Sequence, residues 1–168
     1  AYLWVQIDPN IFSPQSHAVL TSLSPDIEGG SSYRSMKTTL ARREFDGSAE
    51  ITAVRDGRGD PLPHTIVDTM MRVDLARPLG PGERTELGID WNYSIVDVKT
   101  IRARGGYEYF PEDDNYLYEM AQWFPRMAAY TDYAGWQNKQ FLGSGEFTLE
   151  FGDYEVRVTA PNDHIVSA

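Results

Sequence analysis

The fold turns on residues 50–93, EITAVRDGRGDPLPHTIVDTMMRVDLARPLGPGERTELGIDWNY. Short runs rich in β-branched and apolar residues are each closed by a turn signal. Glu50–Arg55 is expected as a strand, with Asp56-Gly57-Arg58-Gly59-Asp60 as the turn behind it. His64–Val67 and Met70–Leu75 follow as two short, tightly joined strands, and Pro78-Leu79-Gly80-Pro81-Gly82 is a second turn. Glu83–Tyr93 is expected as a longer strand carrying Leu87, Ile89 and Trp91 on one face, because side chains alternate across a strand. Turns at such intervals predict an antiparallel sandwich or meander, so the expected fold class is mainly β.

Outward from this stretch, Tyr2–Ile7 sets Tyr2, Trp4 and Gln6 against Leu3, Val5 and Ile7, a period-two strand with one apolar face that Asp8-Pro9-Asn10 ends. Residues 8–32 carry Pro9, Pro14, Pro25 and Gly29-Gly30 and predict a long irregular loop. Residues 33–44 (YRSMKTTLARRE) leave helix and strand both open. Residues 94–106 are expected as a connection ending in Gly105-Gly106, and Tyr116–Met120 as a strand. Two late strands are expected, Glu146–Phe151 and Tyr154–Ala160. The second places Tyr154, Val156, Val158 and Ala160 on one side and Glu155, Arg157 and Thr159 on the other.

The chain has 168 residues, the length of one domain. A domain of this size buries roughly 70% of its unfolded surface, enough for one core. Its 15 basic and 25 acidic residues leave a formal charge of -10. Such a surface repels phosphate backbones, which argues against nucleic acid as a partner and for amine-bearing or cationic ligands, or simply for a solvated acidic face. With no cysteine, disulfides and thiolate metal sites are excluded. No apolar run approaches the ~20 residues of a membrane helix, and no signal peptide is evident. The chain opens at Ala1 directly in a strand and closes just after Ile165–Val166, as an excised fragment of a larger domain would.

Few residues carry chemistry of their own. His17, His64 and His164 lack the four-residue spacing of a zinc helix. Glu112, Asp113, Asp114 and Asn115 lack the alternating ligands and central glycine of a calcium loop, and suit an exposed acidic turn. Arg58-Gly59-Asp60 spells the integrin-binding tripeptide, but sits where a hairpin needs glycine. Asn92-Tyr93-Ser94 is a glycosylation sequon inside an expected strand. Trp123, Phe124, Tyr130, Tyr133 and Trp136 fall within fourteen residues around Pro125. They suit either a hydrophobic plug under a loop or a binding wall for apolar side chains and amine cations.

Several segments together resemble a known family. They are Glu119–Tyr130 (EMAQWFPRMAAY), Phe151–Pro161 (FGDYEVRVTAP) and Asp163–Ala168 (DHIVSA), with Gly105–Phe110 (GGYEYF), the opening Tyr2–Phe12 and the stretch from Thr69 to Trp91. They resemble the N-terminal domain of the zinc aminopeptidases that include aminopeptidase N and leukotriene hydrolase, and most closely a bacterial branch. The resemblance implies a β-sandwich or saddle-like sheet with long loops, spanning residues 1–168 as a single β-domain. It implies packing on a thermolysin-like catalytic domain that holds an HExxH zinc site and a GxMEN loop. Neither motif occurs in these residues. The implied role is therefore a non-catalytic wall of the substrate cleft, with no catalytic residue or cofactor here and zinc in the parent protein. The implied partners are that catalytic domain and the N-terminus of a peptide substrate, and the implied location is outside the cytoplasm of a bacterium.

In the family a Thr-Gln-x-Glu segment closes the pocket for the first substrate residue and binds its free amine. Ala121-Gln122-Trp123-Phe124 occupies that place. Gln122 matches the glutamine, while Phe124 stands where the acid is expected. Gln122, Trp123 and Phe124 are thus the substrate-binding candidates. An amide carbonyl can accept from an ammonium, but Gln122 could equally cap a backbone group. Two other function classes compete. One is a carbohydrate-binding sandwich stacking sugars on Trp123, Tyr130, Tyr133 and Trp136. The other is a structural module that only packs between domains.

Overall fold

The computed structural model describes residues 1–21, 30, 32–101, 103, 105–144 and 152–167. Ten strands are found among them: β1 (Tyr2–Gln6), β2 (Glu50–Asp56), β3 (His64–Val67), β4 (Met70–Asp74), β5 (Leu87–Asn92), β6 (Gly106–Phe110), β7 (Asn115–Glu119), β8 (Arg126–Met127), β9 (Tyr130–Thr131) and β10 (Gly135–Trp136). Two α-helices, α1 (His17–Leu20) and α2 (Tyr33–Glu44), and a 3-10 turn over Asp8–Phe12 complete the set. One sheet has the order β3-β4-β1-β8. The pairs β2-β5, β6-β7 and β9-β10 form separate two-stranded ladders, and every ladder is antiparallel. The fold is mainly β, as expected.

The core lies where the four-stranded sheet meets the β2–β5 ladder. Val5 and Ile7 come from β1 and its end, Met71 and Val73 from β4, and Val54 from β2. Ile51, Leu87, Ile89 and Trp91 pack against them, so the apolar face expected for the 87–91 stretch does face inward. Burying one such side chain fully contributes roughly 1.5–3 kcal/mol. In β5 only one parity, Leu87, Ile89 and Trp91, reaches this layer, whereas in β2 a register shift between Ile51 and Ala53 lets both Ile51 and Val54 face it.

Polar side chains hold the β3–β4 turn against the rest. Asp68 has φ +51°, a left-handed conformation that aspartate tolerates better than most residues. Its carbonyl accepts from Asn10 Nδ2 at 2.6 Å, and its carboxylate accepts from the His17 backbone N–H at 3.1 Å. Gln140 arrives from 71 residues away: its Oε1 accepts from both the Thr69 N–H (2.9 Å) and the Thr69 hydroxyl (2.8 Å), and its Nε2 donates to the Val67 carbonyl (2.9 Å). Thr69 is fully buried, so these bonds replace the water its polar groups would otherwise need.

Several expectations change. Residues 33–44 settle as helix α2, started by Ser32, whose hydroxyl accepts from the Ser35 N–H at 3.1 Å. The long loop contains the 3-10 turn and α1. Residues 83–86 and Tyr93 lie outside β5, which runs only over Leu87–Asn92. The hairpin β6–β7 begins inside what looked like a connection, because Gly106 pairs with Glu119. Tyr154–Ala160 forms no strand among the described residues: the segment is exposed throughout and enters no ladder there. Alternation fits it for a half-buried edge, but a strand exists only where a neighbour supplies hydrogen bonds. The other expected late strand, Glu146–Phe151, lies outside the described residues.

Candidate functional site

A cleft of about 440 Å³ is lined by residues of the Asp8–Phe12 turn, of α2 and of the Glu119–Trp123 segment. Asp8, Arg43, Tyr93, Glu119, Gln122 and Trp123 all reach its lining. Two of the three substrate-binding candidates, Gln122 and Trp123, therefore meet in one concavity. Phe124 is not part of that lining. It packs edge-on against Trp123, with centroids 5.2 Å apart, and against Tyr154 at 6.2 Å.

The glycine pair Gly105-Gly106 shapes the cleft wall. A Cβ on Gly105 would stand 2.7 Å from the Glu119 carbonyl oxygen and 3.0 Å from the Ala121 nitrogen. A Cβ on Gly106 would stand 2.3 Å from the Val96 carbonyl oxygen. Backbone atoms cannot yield as a flexible side chain does, so only glycine lets residues 96 and 119–121 lie flush on either side. Past this point Gln122 adopts φ +54°. A non-glycine residue held there costs on the order of 1–2 kcal/mol, and such strain persists only where the surroundings over-determine it.

The surroundings do so in two ways. The Trp123 carbonyl accepts from the Trp91 indole N–H at 3.3 Å, and the two indoles sit 6.2 Å apart. Arg126, four residues on, pairs with Asp8; both side chains are nearly buried, 11% and 5% exposed. Arg126 also lies in β8, opposite Gln6 of β1. The WFPR arginine is thus an anchor that ties the cleft segment to the main sheet, a role the sequence reading did not assign. The missed signal was an arginine among apolar residues with an aspartate at the end of a distant strand.

Chemically, the lining includes Glu119 and Gln122, whose side chains can accept hydrogen bonds, and Arg42 and Arg43 from α2. Burial raises the Tyr93 phenol above its ordinary value, so it remains a neutral hydrogen-bond donor at physiological pH. Among the described residues no group of three or more histidine, aspartate or glutamate side chains is placed to hold a metal ion. The three histidines stand apart: His17 opens α1, the His64 ring lies 3.2 Å from the Leu62 carbonyl, and His164 stacks on Tyr118. No helix among the described residues is long and apolar enough to cross a membrane.

The Arg58-Gly59-Asp60 tripeptide is a turn built by Asp56, whose Oδ1 accepts from the N–H groups of Arg58 (2.8 Å) and Asp60 (3.0 Å). Gly59 there has φ +92°. The clustered aromatics separate into two groups. Trp123 and Phe124 join Trp91 and Tyr154, whereas Tyr130 meets Trp136 edge-on at 5.3 Å. Tyr133 is 91% exposed, and no ring contact among the described residues joins the groups. Compared with known proteins, the chain matches no family model, no curated protein and no solved structure.

Proposed function

We propose that this chain is a non-catalytic β-domain of a zinc metallopeptidase of the aminopeptidase type, lining part of the substrate cleft. The observation that carries the reading is Gln122, held in a strained backbone at the rim of a cleft that it shares with Glu119. Strain of this kind concentrates where a side chain must be presented in one direction. An ammonium group entering a half-buried site needs acceptors to replace its water, and a carboxylate with an amide carbonyl supplies them. Glu119 thereby fills the acidic role for which the neighbouring Phe124 is unsuited. Trp123 forms an apolar wall beside them, and Phe124 supports Trp123 from behind. In this reading the zinc and the catalytic groups reside on a thermolysin-like domain of the same parent chain, and the free N-terminus of a peptide is the ligand.

The test is the gene beyond codon 168. An in-frame continuation encoding HExxH and a more distant glutamate is expected, and a stop codon there would overturn the proposal. In the protein so encoded, Gln122→Ala is expected to raise KM for amino-acid arylamides more than it lowers kcat. An unchanged KM removes Gln122 from the site.

A further inference from the structure

The β6–β7 hairpin carries four tyrosines on one face. Tyr107 stands opposite Tyr118 and Tyr109 opposite Tyr116, and alternation puts all four side chains on the same side. The rings touch in sequence: Tyr109 and Tyr116 are 4.8 Å apart, Tyr116 and Tyr118 are stacked at 6.1 Å with planes 19° apart, and Tyr107 lies within 6.3 Å of both Tyr116 and Tyr118. Half of this array is open among the described residues: Tyr116 is 47% and Tyr118 44% exposed, while Tyr107 and Tyr109 are half-buried beside them. A single exposed tyrosine is ordinary, but two exposed tyrosines backed by two half-buried ones, all joined through Tyr116, make a continuous π surface on one ribbon.

Carboxylates bracket the array. At one end the hairpin turn carries Glu112, Asp113 and Asp114, all exposed, and Asp114 Oδ1 accepts from the Tyr109 hydroxyl at 2.9 Å. At the other end the His164 ring stacks on Tyr118 at 5.8 Å and holds Asp163 at 2.8 Å. Lys99 is engaged on the opposite face, where Glu108 and the Phe110 ring meet it at 3.3 and 5.1 Å. The chain as a whole is at -10. Ring faces present negative charge to a cation, and carboxylates at the edges add to that field. The molecule already makes this contact once elsewhere, with the Arg72 guanidinium 4.4 Å from the Tyr2 ring.

We infer that the tyrosine face of the β6–β7 hairpin and its acidic turn form a docking surface for an arginine-bearing peptide segment. The guanidinium groups stack on Tyr116 and Tyr118 while the flanking carboxylates balance their charge. Arginine suits the surface better than lysine because its planar, weakly hydrated head stacks on a ring and can still give hydrogen bonds at its edge. The surface is separate from the cleft and does not depend on the aminopeptidase reading.

The test is calorimetric titration of the full chain with three probes: an alternating Arg-Gly octapeptide, its Glu-Gly counterpart and a neutral glucose hexamer. The Arg-Gly peptide is expected to bind and the other two are not. Tyr116→Ala is expected to weaken binding about fivefold, the exposed value of one cation–ring contact. Tyr116→Phe keeps the ring and is expected to keep the affinity, which separates stacking from loss of structure. Asp113→Asn is expected to weaken binding and to flatten its dependence on salt. Binding of the Arg-Gly peptide that Tyr116→Ala leaves unchanged would show charge attraction alone and overturn the inference. Hexamer binding lost in Tyr116→Ala would overturn it in favour of a sugar platform, as would failure of the Arg-Gly peptide to bind.

Discussion

Two stretches of this chain alternate in the same way and end in opposite states. In β4, Met71 and Val73 point into the core and are fully buried, while Arg72 between them is exposed. In residues 154–160, Tyr154, Val156 and Val158 alternate with Glu155, Arg157 and Thr159, yet the three apolar residues are 70%, 60% and 54% exposed. The difference lies in the neighbours. β4 sits between β3 and β1 and takes ladder hydrogen bonds on both edges. The late segment has no ladder among the described residues. Alternation states which face a strand would bury; it does not supply the strand beside it.

The anchored side of this comparison should break first. Arg126→Ala leaves the Asp8 carboxylate buried without its guanidinium and is expected to cost about 3–5 kcal/mol in urea unfolding. The double replacement Asp8→Leu/Arg126→Met should recover much of that loss, because an apolar pair needs no charge compensation. Met71→Ala, at a fully buried position, is expected to cost about 2–5 kcal/mol. Val156→Ala should stay within about 0.5 kcal/mol, as exposed substitutions do. Equal losses for Met71→Ala and Val156→Ala would show that residues 154–160 are buried in solution and erase the contrast.

Gln140→Ala removes the acceptor for two donors of buried Thr69 and is expected to cost about 1–3 kcal/mol, with faster amide exchange at Thr69. The smallest effect belongs to an exposed ion pair on the β2–β5 ladder. The hydrogen bond from Arg55 to Asp90, 2.6 Å long, holds the Asp90 carboxyl below its ordinary value. A depressed carboxylate contributes stability above its unfolded pKa, and that contribution is lost as pH falls through the lower folded value. The urea midpoint should therefore slip as pH falls below about 4, the ordinary carboxylate value. Asp90→Asn should remove that part of the slope, and an unaltered slope would show the pair is open in solution.

Much of the first half of the fold was legible because its residues obey local rules. His64–Val67 is a strand with the expected bounds, and β1, β2 and β4 fall within a residue of theirs. β6 was hidden because Gly105-Gly106 looks like turn chemistry. Those glycines serve close backbone approach instead, which depends on residues 96 and 119 being there. The cleft was legible in part. Gln122 and Trp123 are named through the family resemblance and share one concavity, whereas Asp8 and Glu119 reach it, and Arg126 braces it through Asp8, only through the fold. Glu119 looked like the end of a strand and Arg126 like one charge among many.

Periodicity, turn residues and composition by themselves determined a β-rich chain with an acidic surface, since each is a short-range property of the backbone or a sum over residues. Tertiary structure decided which alternating segments became strands, that Arg126 would close on Asp8 across 118 residues, and that four tyrosines from two strands would form one surface. Those outcomes rest on contacts between residues far apart in the chain, whose free energy appears only once both partners are held in place.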